Sequence, residues 1–229
     1  MESQFLDLKK YIGVLSFKGT KTGTQKGTAC LFFYNKEWLL ATAAHCIFDI
    51  ESGEFNKDFK FLIPYNKEKI ELSNVIFHEN WLKLYAPEYD IAFFKIVHTD
   101  YLECLDDTFL QPKFDISHDN SFSLAGYSAS LLLFNRLTIE CNRHGKYDQI
   151  YNSTLIGVET KAKGGMSGSP LMILDKYKFK IVGTVSLSFK SQKNTLWSAK
   201  WNAEMKEILD FITLDNGNKP NNIVSRSNL

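Results

Sequence analysis

Residues 39–46 read LLATAAHC and are the most informative segment of the chain for its fold class. An apolar run of strand length leads through small residues to His45, which predicts a buried strand that ends at a histidine. An imidazole in such a place can sit at a cleft and act as a general base. A histidine beside alanines is also typical of a hydrogen-bonded core residue, so this segment alone leaves both interpretations open.

Asp90 begins a second apolar segment, residues 89–96, with the sequence YDIAFFKI. A carboxylate that is drawn inward by the strand after it needs a partner, because an unpaired buried charge is costly. The alternative is a strand cap that faces water.

Ser167 lies in a glycine-rich segment, residues 164–170, which reads GGMSGSP. Glycines on both sides of a serine allow the backbone to turn sharply and to point its N–H groups toward a bound carbonyl oxygen. A stretch of glycine and serine is by itself more typical of an ordinary loop.

The three segments are far more specific together than apart. A serine hydroxyl is a weak nucleophile that needs a base, and the base needs a carboxylate that fixes its tautomer and stabilises the imidazolium. The order histidine, aspartate, serine differs from the order in α/β-hydrolases and from that in subtilisins. The sequence therefore predicts a catalytic triad of His45, Asp90 and Ser167.

These motifs resemble those of the trypsin/chymotrypsin-like serine proteases, including bacterial glutamyl endopeptidases and viral members, and the resemblance covers residues 11–212. Residues 42–46 (TAAHC) resemble the histidine motif of the family, and residues 90–92 (DIA) resemble its aspartate motif. Residues 165–170 (GMSGSP) resemble its serine motif. The resemblance implies an all-β fold of two packed six-stranded antiparallel β-barrels with a C-terminal α-helix.

The resemblance also implies a role for each residue. Ser167 is expected to be the nucleophile, His45 the general base and then acid, and Asp90 the orienting carboxylate. The N–H groups of Gly165 and Ser167 are expected to form the oxyanion hole. The residues expected to bind the substrate are Lys161, Ser186, Leu187 and Ser188. The reaction is then peptide-bond hydrolysis through an acyl-enzyme, with no metal and no organic cofactor.

The chain departs from the family pattern in its activation and specificity residues. Met166 replaces the aspartate that pairs with a new N-terminus in trypsin-like zymogens, and a thioether cannot bind an ammonium group, so activation by that salt bridge is not expected. Lys161 lies where trypsin has its pocket aspartate, which disfavours basic P1 residues and leaves acidic and small apolar ones open. Cys30 and Cys46 have the spacing of a family disulfide, but free thiols are the preferred interpretation.

The chain has 229 residues, which is enough for one enzyme-sized globule. Short β-branched and aromatic runs between turn residues predict mostly strands, and an apolar stripe predicts one terminal helix. The predicted divisions are an N-terminal barrel at 1–105, a connection at 106–118, a C-terminal barrel at 119–197, a helix at 198–212 and a flexible tail at 213–229.

The charge balance and the composition of the segments limit which partners the protein is expected to bind. The chain has 27 Lys and Arg against 26 Asp and Glu, so no nucleic acid or membrane partner is expected. We see neither a secretory signal pattern nor a bilayer-length apolar stretch, which favours a soluble, cytoplasmic protein, although a removed signal would leave no trace. The expected partner is a protein or peptide bound as an extended strand, and control by a regulatory protein is a further hypothesis. The alternative functions are a catalytically silent, protein-binding module and an esterase on the same fold.

Overall fold

The structure is a computed structural model that describes residues 2–19, 23–128, 137–160, 164–192, 194–214 and 219–227, with only the backbone for residues 2–4. In chain order its strands are β1 (Ile12–Lys18), β2 (Thr24–Tyr34), β3 (Glu37–Thr42), β4 (Phe48–Asp49), β5 (Glu54–Phe55), β6 (Lys57–Ile63), β7 (Glu68–Ile70), β8 (Leu72–His78), β9 (Ala92–Ile96), β10 (Leu110–Pro112), β11 (Ser121–Tyr127), β12 (Leu137–Tyr147), β13 (Ile156–Glu159), β14 (Pro170–Asp175), β15 (Lys178–Leu187), β16 (Thr195–Lys200) and β17 (Ile223–Ser227). Its helices are α1 (Glu2–Asp7), α2 (Asn80–Leu84), α3 (Asp100–Glu103) and α4 (Ala203–Thr213).

The first sheet has the strand order β17-β8-β9-β3-β2-β1-β6-β7. Strand β3 is central, with β2 on one side and β9 on the other, and residues 39–42 are buried. This position explains the uninterrupted apolar run before His45, because a strand covered on both faces has no polar side.

The second sheet contains a closed barrel of six antiparallel strands. Strands β15, β14, β11, β12, β13 and β16 pair in that order, and a pairing of β15 with β16 closes the ring. Strand β10, inside the predicted connection, adds to β15 in parallel. The predicted mostly-β class with a C-terminal helix is confirmed, and the first half differs in detail because its sheet has eight strands.

The C-terminal region differs from its prediction in two places. Helix α4 begins at Ala203 rather than at residue 198, because residues 195–200 belong to β16 and Asn202 caps the helix through its side chain. The predicted tail is not loose throughout, since β17 pairs with β8 from Ile223 opposite His78 to Ser227 opposite Asn74. Pairing satisfies the backbone groups of the β8 edge. In the described part of the chain, no helix is long and apolar enough to cross a bilayer.

Candidate active site

His45 and Asp90 are joined by two hydrogen bonds. The His45 backbone N–H donates to Oδ1 of Asp90 at 2.8 Å, and the ring Nδ1 lies 2.7 Å from Oδ2. Asp90 is 1% exposed and the His45 side chain 33% exposed. An ionised carboxylate can only accept, so Nδ1 carries the proton and Nε2 of a neutral ring is left as an acceptor. This is the tautomer that a general base requires.

The sheet register explains why these residues meet. His45 lies in the single 3₁₀ turn that follows β3, and Asp90 lies two residues before the start of β9. The two strands pair with Thr42 opposite Ala92. Two strand ends in register therefore place the imidazole against the carboxylate.

Asp90 also sets the electrostatics of the histidine. Burial lowers the pKa of His45, but the contacts of the ring with Asp90 and Cys46 together outweigh burial and hold that pKa well above 6.5. An imidazolium formed during a reaction is stabilised by the same contacts.

Ser186 provides a third contact to Asp90. Its hydroxyl donates to Oδ2 of Asp90 at 2.5 Å. The register of β15 against β16 shifts between Val185 and Leu187, so Ser186 is the extra residue of a bulge, a device that redirects a side chain. Sequence reasoning had placed Ser186 only in the substrate-binding strand and missed this contact.

The serine segment packs against the histidine segment. Gly168 has φ +85°, and a Cβ there would overlap the Thr42 hydroxyl and lie 3.1 Å from the Ala43 nitrogen. The Gly168 N–H donates to the carbonyl of Val185 at 2.8 Å. Within the described residues the Ser167 hydroxyl makes no hydrogen bond to the His45 ring, a contact that often tightens only when substrate binds.

Thr28, a residue that sequence reasoning missed, connects these segments. Its N–H donates to the carbonyl of Ser167 at 2.8 Å and its hydroxyl to the carbonyl of Gly165 at 2.8 Å. The same hydroxyl accepts the Tyr127 N–H at 3.0 Å, and the Thr28 carbonyl accepts the Thr42 hydroxyl at 2.8 Å. The only signal in the sequence is a threonine within the buried part of β2.

Solved structures resemble the fold of this chain, whereas no protein-family model and no curated protein matches it. A thermostable serine protease, AL20, from an extremophilic microorganism has a TM-score of 0.75 at 19% identity, over 91% of this chain and 99% of its own. The protease Anisep from Arthrobacter nicotinovorans has a TM-score of 0.69 at 19% identity, over 86% and 92%. A Glu endopeptidase has a TM-score of 0.63 at 13% identity, over 87% and 89%.

The chain has the trypsin-like serine protease fold. Its order of histidine, aspartate and serine segments is the one expected from the sequence resemblance, and the recognition of that fold is confirmed.

A cavity of about 300 Å³ in this trypsin-like fold lies beside Ser167. Its lining consists of Gly164, Met166, Ser167, Leu196 and residues 185–188. Three of the four predicted substrate-binding residues, at 186–188, are therefore brought next to the predicted nucleophile. Lys161 is outside the described residues, so its place in the pocket stays a prediction.

Two departures from the family pattern have visible consequences in the trypsin-like fold. Met166 is 3% exposed and belongs to an apolar cluster with Val185 and Leu196, so packing holds it where a zymogen aspartate would be. Cys30 and Cys46 are free thiols. A Cβ on Gly27 would lie 2.9 Å from Sγ of Cys46, so Gly27 is a close neighbour of that sulfur.

Proposed function

We propose that this chain is a serine endopeptidase with Ser167 as nucleophile, His45 as general base and Asp90 as the orienting acid. The observation that supports it most is the contact of His45 Nδ1 with Oδ2 of the buried Asp90 at 2.7 Å. A buried carboxylate is expensive unless it is paired, and this pairing leaves Nε2 of the ring as an acceptor.

The proposed reaction proceeds in two steps. The Ser167 oxygen attacks the scissile carbonyl carbon while His45 Nε2 takes the hydroxyl proton, and the negative oxygen accepts hydrogen bonds from the N–H groups of Gly165 and Ser167. His45 then protonates the leaving amine, which gives an acyl-enzyme on Ser167. Water attacks the ester, His45 takes its proton, and return of that proton to Ser167 releases the acid.

The proposed substrate is a peptide segment in extended conformation. Its backbone would pair with residues 186–188, which line the cavity beside Ser167, as a strand added to a sheet edge. Met166, Val185 and Leu196 give that cavity apolar walls, and its described lining contains no carboxylate. We therefore propose that basic P1 residues are disfavoured, with acidic and small apolar residues as the candidates.

A fluorophosphonate probe tests the proposal directly, because it labels a serine only when a base activates it. We expect the full chain to be labelled and the Ser167→Ala variant to remain unlabelled. Peptide turnover together with that labelling separates an endopeptidase from an esterase. A folded chain that is never labelled would instead be a protein-binding module on a protease fold.

A further inference from the structure

The two proposed oxyanion donors are both held by one residue of the first sheet. Thr28 is 0% exposed. Its backbone N–H donates to the carbonyl of Ser167, and its hydroxyl donates to the carbonyl of Gly165, each at 2.8 Å. The residues whose N–H groups would bind the oxyanion therefore have their carbonyls fixed by one threonine.

Fixing these carbonyls matters most at Gly165. This residue has φ +88°, a conformation that glycine reaches easily and also leaves easily. With its carbonyl hydrogen-bonded to Thr28, rotation about its backbone breaks a buried bond and leaves a buried acceptor without its partner, which costs free energy. The bond fixes the peptide plane between Gly165 and Met166, which adjoins the plane that carries the Gly165 N–H, before any substrate binds.

Met166, the residue between Gly165 and Ser167, cannot hold this segment in place through a charged pair. Met166 packs in an apolar cluster, and a thioether makes no charged pair.

We propose that Thr28 is a positioning residue that keeps the oxyanion hole assembled, in place of a charged pair at position 166. The inference rests on the proposed function, since an oxyanion hole matters only if Ser167 forms an acyl-enzyme. The Thr28 hydroxyl acts through Gly165 and does not touch the substrate.

The test compares Thr28→Val, which removes the hydroxyl and keeps the branched shape, with Thr28→Ser, which keeps the hydroxyl. Thr213→Val is the matched control, because the Thr213 hydroxyl in α4 also donates to a carbonyl at 2.8 Å and accepts an N–H at 3.1 Å. Steady-state hydrolysis of a peptide substrate, its pH profile and fluorophosphonate labelling are measured for each full-length variant.

We expect Thr28→Val to lower kcat by about 10- to 1,000-fold, the upper limit being the effect of losing one oxyanion-hole donor. KM and the pH midpoint should stay unchanged, because the binding strand and the His45 contact to Asp90 are untouched. Thr28→Ser should recover most of the rate, and Thr213→Val should retain it.

Several results would overturn the inference. The inference is wrong if Thr28→Val retains the wild-type kcat. It is also wrong if Thr28→Ser loses as much of kcat as Thr28→Val does, or if the effect of Thr28→Val is on KM instead of kcat. If Thr28→Val does not fold, Thr28→Ala against Thr28→Ser repeats the comparison, since these two differ by one oxygen atom. An inactive, unlabelled wild-type chain overturns the proposed function and this inference with it, whereas an active wild type with an equally active Thr28→Val overturns this inference alone.

Discussion

The hydroxyl of Ser186 donates a 2.5 Å hydrogen bond to the carboxylate of Asp90, a residue 96 positions earlier in the chain. The bond joins the closed barrel to the sheet that carries the histidine. Oδ2 of Asp90 therefore accepts two hydrogen bonds, since Nδ1 of His45 also lies 2.7 Å from this oxygen.

Replacing Ser186 with alanine should lower stability as well as activity. A hydrogen bond to a charged acceptor contributes about 1.5–3 kcal/mol, so we expect the free energy of unfolding to fall by that amount in urea denaturation. Ser198→Ala is the control, because the buried Ser198 hydroxyl has no hydrogen-bond partner among the described residues. Equal stability of the two variants would contradict the importance of this bond.

Replacing Asp90 with asparagine should nearly abolish hydrolysis while the chain stays folded. The amide can donate to Nδ1 and so favours the wrong tautomer of His45, an effect of about 10⁴-fold in kcat for this arrangement. Asp148→Asn is a suitable comparison, since Asp148 is also buried and accepts the Ser153 hydroxyl at 2.6 Å. We expect that variant to lose stability but to retain peptide turnover, and comparable activity of both variants would count against the triad.

The pH dependence follows from the raised pKa of His45. The general base must be neutral, so kcat/KM should rise with pH and reach half its maximum above 6.5, because the contacts of the ring with Asp90 and Cys46 hold the pKa of His45 above that value. The same shift stabilises the folded chain: its contribution is fully present below pH 6.5 and is lost as the pH rises through the folded-state pKa. A midpoint of kcat/KM below pH 6.5 would show that these contacts do not raise the pKa of His45.

Replacing Gly168 with alanine should abolish labelling of Ser167. Positive φ strains an L-residue by about 1–3 kcal/mol, and the new Cβ would also overlap Thr28 and Thr42, which displaces the serine segment. Gly53→Ala isolates the strain alone, since Gly53 has φ +71° and nothing lies within 4 Å of its added Cβ. Loss of labelling in Gly53→Ala, or normal labelling in Gly168→Ala, would contradict this explanation.

The candidate triad was predictable because its signals are local. His45 follows a buried strand, Asp90 precedes another, and Ser167 lies among glycines that its turn requires. The need for burial and for backbone freedom is therefore visible in the residues next to each of them. The order of the three segments then selected the fold. Helix α4 was visible for the same reason, through its apolar stripe.

The contacts around these residues depend on how distant parts of the chain pack together. The Thr28 hydroxyl meets Gly165 across 137 positions, Ser186 turns to Asp90 at a bulge, and β17 pairs with the β8 edge instead of forming a loose tail. None of these contacts changes the local periodicity of the sequence, because a single hydrogen bond between distant residues depends on how two sheets pack. Local sequence patterns were enough to name the three candidate residues of the proposed chemistry, whereas the contacts that hold them in place depend on the packing of the two sheets, because those contacts join residues far apart in the chain.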